Sequence, residues 1–284
     1  MHFRSQSAME YLMTYGWAIL IVAVVLVALF QLGFFGGSTG RPTASSGSCQ
    51  VVKSAAGSDL VGLCSGALPK FVAQFNGQSS LVQASPYPSA YSPMTISVWV
   101  YPASLSQSSY GSGVGGTIID ENENGAGSGW ILGVRNSDKI WFWPSSGNDK
   151  FSTSLIPLSQ WTSIIVAYNG VSIQMFVNGV LDSTQSMSVP QQGASFFRIG
   201  AKSWITGYWD GAISNLQVYN TSLSASEISS LYLEGIGGAP IDPTHIVGWW
   251  PLNGNANDYS GNGDSGAQTS LSYNSTWYYG YTAP

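Results

Sequence analysis

Three groups of side chains in this sequence have the types and spacing that chemistry needs. The first is the acidic run Asp120-Glu121-Asn122-Glu123-Asn124. Glu121 and Glu123 have the period of one strand face, the placement two carboxylates need to act on a glycosidic bond. The run continues into Asn124-Gly125-Ala126-Gly127, so it reads instead as a solvated hairpin tip. The second group is Trp204, Tyr208 and Trp209 in the Gly-containing stretch SWITGYWDG. Exposed rings on one loop would make a platform for stacking a sugar. The third is Asp258 in the loop DYSGNG. Its carboxylate could cap an Asx-turn in the Gly-rich loop. The only histidines are His2 and His245, and no serine-triad or metalloprotease pattern is present. Gly111-Ser112-Gly113-Val114-Gly115-Gly116 is loop with no helix signal after it, so it cradles no nucleotide. The expectation is a protein that is not an enzyme.

The elements that must position these groups are short strands. From residue 69 onward, β-type runs alternate with turn residues at the spacing of a sandwich. They are FVAQF (71–75), TISVWVY (95–101), TIID (117–120), WILGV (130–134), KIWFW (139–143), WTSIIVAY (161–168), IQMFVNGVL (173–181), FFRIG (196–200), AISNLQVY (212–219) and VGWWPL (247–252). Asn169-Gly170 and Asn178-Gly179 are hairpin turns. One helix is signalled by the capping-box spacing Ser224 to Glu227, followed by Ile228, Leu231 and Tyr232. Trp141 and Trp143 share a strand face by period two and read as sandwich core, as do Trp99, Trp161 and Trp249.

The 284 residues include only 8% charged side chains, with 34 Gly and 11 Trp, a balance typical of exported β-rich chains. The net charge of −5 and the lack of a Lys/Arg cluster exclude nucleic acid as a partner. Residues 17–35, WAILIVAVVLVALFQLGFF, carry no charge. As a helix they would span about 28 Å, close to a bilayer core. Arg4 and His2 precede them, which places the N-terminus in the cytoplasm and the remainder outside. Glu10 stands just before this run, where a carboxylate is costly and invites a function. A Gly/Ser-rich neck follows, holding Cys49 and Cys64, an even pair that in an exported chain suggests one disulfide. Asn220 and Asn274 begin glycosylation sequons.

SQSAMEYLMTYGWAILIV resembles the class III signal peptide of archaeal type IV pilin-like proteins. The resemblance implies cleavage between Ser5 and Gln6, with Glu10 as the glutamate at the fifth mature position. Glu10 would then pair with the freed amine of a neighbouring subunit as helices pack into a filament. A plain single-span anchor, with Glu10 at the membrane interface, is the alternative.

A second resemblance rests on FNGQSSLV, TISVWVYP, LSQWTSIIVAYNG, WDGAISNLQVYNTSLSASEISSLY and WWPLNGNANDYSGNGDSG. Together these look like a laminin-G-type, concanavalin-like jelly-roll. In that family the last of these motifs usually comes first, so the domain looks circularly permuted. Residues 246–284 would complete the sandwich within the chain, or by exchange between subunits. The resemblance implies Asp258 as a Ca2+ ligand, with Asn215 where relatives usually carry Asp.

The expected organisation is therefore a leader (1–5), a hydrophobic transmembrane or pilin helix (6–36), a neck (37–68) and a mainly β jelly-roll head (69–284). The expected function is surface adhesion: a pilin-like subunit displaying a lectin-like head that binds a glycan or protein. It would sit in the cell membrane or a surface filament, with the head extracellular, and self-associate through its N-terminal helix. The alternatives are a non-polymerising anchored lectin and, more remotely, an anchored glycoside hydrolase. Ca2+ is the one cofactor in view.

Overall fold

The computed structural model describes residues 19–25, the strands at 51–53 and 60–62, and residues 68–284 except 85–92, 107–113, 122–128, 145–147, 189–196 and 203–205. The chain divides into two units, Met1–Thr43 and Ala44–Pro284.

In the first unit, residues 19–25 are helical, and Ile19, Leu20, Ile21, Val22, Val24 and Val25 are exposed. The rest of the expected 6–36 helix lies outside the described residues, with Ser5, Gln6 and Glu10. Among the described residues no helix is long and apolar enough to cross a membrane.

The second unit begins with a two-stranded ribbon, β1 (Val51–Lys53) antiparallel to β2 (Leu60–Gly62), with Val51 opposite Gly62. Cys49 and Cys64 flank it and lie outside the described residues. Two antiparallel sheets follow. One runs β12 (Val180–Ser186), β11 (Ser172–Val177), β10 (Thr162–Tyr168), β5 (Met94–Ser104), β14 (Asp210–Tyr219), β3 (Val72–Asn76) and β17 (Ser272–Asn274), with β15 (Ile246–Trp250) also on β14. The other runs β16 (Gly266–Thr269), β4 (Leu81–Ala84), β13 (Phe197–Ile199), β6 (Val114–Asp120), β7 (Ile131–Arg135), β8 (Lys139–Trp143) and β9 (Lys150–Leu155). The predicted runs all contribute strands. The Asn178-Gly179 turn joins β11 to β12 with positive φ at both residues (49° and 75°), as a primed turn requires.

Alternate residues of both sheets form the core, which includes Ile96, Val98, Leu132, Phe142, Ile164 and Ile213. Residues 246–284 close the sandwich within the chain: β15 bonds to β14, β16 to β4 and β17 to β3. Trp250 delivers the largest part of this segment to the core. It is fully buried, its ring lies 4.7 Å from that of Phe197, and its Nε1 donates to the Asp264 carbonyl at 3.0 Å.

The outer face of the eight-stranded sheet is covered. Helix α1 (Ala225–Leu233), capped by Ser224, lays Ile228 and Leu231 over Ile165, Ala167 and Phe176. The C-terminal tail lays Trp277 and Tyr281 over Val72, Trp99 and Trp161. Trp99 and Trp161, expected in the sandwich core, are therefore buried on its outside. The Trp161 Nε1 donates to the Trp277 carbonyl at 2.8 Å and the Trp277 Nε1 to that of Pro69 at 3.0 Å.

Because Trp250 links the C-terminal segment to the core, Trp250→Ala should cost about 3–5 kcal/mol, lost contacts and cavity together. Denaturant unfolding measures this; a loss below about 1 kcal/mol would show that the segment is dispensable.

Candidate ligand-binding face

Among the described residues no helix or strand lies over the outward face of the seven-stranded sheet, although Thr117, Asp120, Ile131 and Trp141 on it are buried, and β8 sets its character. Ile140 and Phe142 enter the sandwich core, so Lys139, Trp141 and Trp143 point the other way. The reading of Trp141 and Trp143 as sandwich core is thus corrected: they pack with Ile131 in a separate cluster on the outer face. Trp141 is 3% exposed and Trp143 is half-buried.

Register places charged and amide groups in line with these rings. Trp143 lies opposite Ile131, Ile131 opposite Asp120, Asp120 opposite Arg198, and Arg198 opposite Gln83. In the next row, Phe151 faces Trp141, Trp141 faces Gly133, and Gly133 faces Thr117. The Arg135 guanidinium sits 4.0 Å from the Trp141 ring centre and donates to Asp149 Oδ2 at 2.7 Å. The Lys202 ammonium stands 5.0 Å from the same ring. Arg198 Nε donates to Gln83 Oε1 at 3.2 Å. Burial pulls the Lys202 and Arg198 pKa values below their ordinary ranges, while the charge on Asp120 works against that fall in both. Two buried polar atoms in the Trp141–Gly133–Thr117 row, Trp141 Nε1 and Thr117 Oγ1, have no hydrogen-bond partner among the described residues. Such atoms are rare in folded proteins and need a reason.

Lys202 reaches this face because of the turn after β13. Gly200 has φ +84°, and a Cβ there would lie 2.2 Å from the Phe75 ring, so only glycine fits. The loop is then pinned: Thr117 N donates to the Gly207 carbonyl, Lys202 N to that of Thr206, and Trp209 N to that of Gly200.

The predicted stacking platform is only partly in place. Trp204 lies outside the described residues, and Tyr208 is half-buried. Trp209 is fully buried, with its Nε1 donating to the Ala212 carbonyl at 3.2 Å, so it offers no ring to solvent. It fits against Gly116, where a Cβ would come within 2.9 Å of its Cε3. Glu121 is fully buried and its amide bonds to Trp130 O, so it is no solvated hairpin tip; Glu123 lies outside the described residues. Asn220 is exposed at the end of β14, and Asn274 Oδ1 accepts from the amide and hydroxyl of Thr276.

The two expected cation ligands hold the chain instead. Asp258 accepts from the amides of Trp249, Ser260, Gly263 and Asp264 and from the Ser260 hydroxyl, at 2.8–3.1 Å. Five donors fill the roughly four lone-pair positions of a carboxylate, which corrects its reading as a Ca2+ ligand. Burial pushes its pKa up, but these bonds outweigh burial and hold it below the usual range. Burial, then the charge of Asp258, raises Asp264. Asn215 is likewise occupied: it donates to the Gly238 carbonyl and accepts from Gln217 Nε2 and, at 2.8 Å, Trp249 Nε1. Both residues therefore grip Trp249. Among the described residues, no group of three or more His, Cys, Asp or Glu could share a metal ion.

The comparisons agree with this architecture. The chain belongs to the laminin-G type of the concanavalin A-like lectin/glucanases superfamily, whose sequence profile matches residues 76–229, more than half of it. A search of curated proteins finds no match. Among solved structures, it is similar to a candidate carbohydrate-binding protein of Bacteroides ovatus, with TM-score 0.55 and 13% identity over 78% of this chain. The chain spans 65% of that protein's length. It is also similar to the heptameric SAP-like pentraxin of Limulus polyphemus, at TM-score 0.47 and 14% identity over 72% of this chain and 94% of that one. A third likeness is to domain 4 of an extracellular arabinanase of Geobacillus stearothermophilus, solved with arabinotriose, at TM-score 0.43 and 16% identity over 66% and 84% of the two chains. At these identities the likeness concerns the fold.

Asp258→Asn should destabilise the protein by about 2 kcal/mol, because one amide oxygen cannot replace a carboxylate for five donors. With a lowered folded pKa, the stabilisation is present above the unfolded carboxylate value near 4 and is lost as pH falls through the folded value. The gap between native and variant Tm should therefore be full at pH 7 and shrink below about pH 4; a gap independent of pH would contradict the assignment.

Proposed function

We propose that this chain is a surface-displayed, non-catalytic glycan-binding protein, with the outer face of the seven-stranded sheet as its binding surface. One observation carries the reading: among the described residues no helix or strand lies over that face, where buried Trp141 packs beside half-buried Trp143, and Trp143 lies in register with Asp120, Arg198 and Gln83. An aromatic surface flanked by fixed charges and an amide suits a sugar, whose apolar face stacks while its hydroxyls bond to polar side chains. The superfamily's lectin members make a sugar the first ligand class to test. Full burial of Glu121 supports binding over hydrolysis, because a general acid must reach the glycosidic oxygen.

The apolar segment 6–36 carries the head outside the cell, and its likeness to a pilin signal supports assembly into a filament, with cleavage before Gln6 and Glu10 at the subunit contact. Export would allow a Cys49–Cys64 disulfide.

Two measurements test this reading. The full-length chain in detergent, screened on a glycan array, should retain at least one glycan, and Trp143→Ala should weaken that binding about tenfold with little change in Tm. No retained glycan, or an unaffected variant, would refute the site. Sheared surface material should contain the chain beginning at Gln6, and Glu10→Ala should remove it from filaments. Uncleaved monomers confined to membranes would refute polymerisation and leave the anchored lectin.

A further inference from the structure

We infer that the glycan carries an anionic group and that the Lys202 ammonium, held over Trp141, receives it. This rests on the glycan-binding reading above and specifies its ligand class.

Among the described residues, the cations around Trp141 are unequally matched. Arg135 is matched by Asp149 at 2.7 Å, and Arg198 stands opposite Asp120 in the strand register. Lys202 is left over. Its ammonium has no ion pair or hydrogen bond among the described residues, and Asp120 and Asp149 act on it only through the field. It is held 5.0 Å from the centre of an indole already faced by Arg135 at 4.0 Å. Two cations on one ring repel each other, and Arg135 does lower the Lys202 pKa. In a chain with 14 acidic and nine basic residues, surplus positive charge at one half-buried point is not a general feature of the surface. An anion bound beside Lys202 would relieve that repulsion.

A carboxylate or sulfate on the sugar would give the half-buried Lys202 ammonium a counter-charge, whereas a neutral sugar leaves that charge unmet.

The test uses the full-length chain in detergent and matched polymers: polygalacturonate against its fully methyl-esterified form, and dextran sulfate against dextran. At least one charged polymer should bind about tenfold more tightly than its neutral partner. Lys202→Gln should remove that preference and Lys202→Arg should keep it. The pair showing the preference identifies the anion as carboxylate or sulfate. Equal binding of charged and neutral partners, or a preference that survives Lys202→Gln, overturns this inference while leaving glycan binding standing. Binding of no glycan here or on the array overturns both.

Discussion

The fold depends on a bend in one strand. Strand β14 bonds along one side to β5, but its other side is divided: Asp210–Ile213 bond to β3, and Leu216–Tyr219 bond to β15. Two strands share that side because β14 breaks register against β5 between Ser214 and Gln217. Asn215, at the break, adopts φ +51°, a left-handed conformation that asparagine tolerates better than most residues. Its amide then fastens Gly238 on one side and the Trp249 indole on the other. Without that bend β15 has no edge to join, and the last 39 residues lose their point of entry.

From this entry follows the asymmetry of the sandwich. After β15, the Asp258 loop turns the chain back, β16 and β17 extend opposite sheets, and the tail lies over Trp99 and Trp161. The chain preceding β15 forms α1 on the same sheet. Among the described residues, the helix and the C-terminal tail thus both cover the eight-stranded sheet. The other sheet's outer face carries Trp141, Trp143, Arg135, Arg198 and Lys202, with Trp141 and Arg198 buried among their neighbours. The candidate site is the face that the closing segment leaves free, which is why its residues come from five separate strands and a loop and form no compact motif.

This explains what the sequence reveals and what it conceals. Strands with a clean apolar stripe, such as TISVWVY and WTSIIVAY, are legible because β-branched residues at short spacing have few other uses. Strands β4, β9, β16 and β17 are largely polar or very short and give little signal. In KIWFW both parities are apolar, so period two shows which residues share a face but not which face is the core. Lys139 is the available clue, since it shares parity with Trp141 and Trp143 and a lysine does not enter a sandwich core unpaired. The Asp258 loop misleads for a different reason. Gly-rich turns that aim oxygens at a cation and turns that aim amides at a carboxylate have similar compositions, and only the direction of the N–H groups separates them.

The seven-stranded sheet also has to end safely. Strand β9 is the sheet's edge, and its unpaired amides would otherwise invite another strand. Asp182, from the edge strand of the opposite sheet, accepts from the amides of Thr153 and Ser154, and Gln185 donates to the Phe151 carbonyl. These contacts tie the two sheets together and occupy backbone groups of β9. An edge closed by side chains, beside a face of fixed aromatic and charged groups, favours recognition through side chains over strand addition.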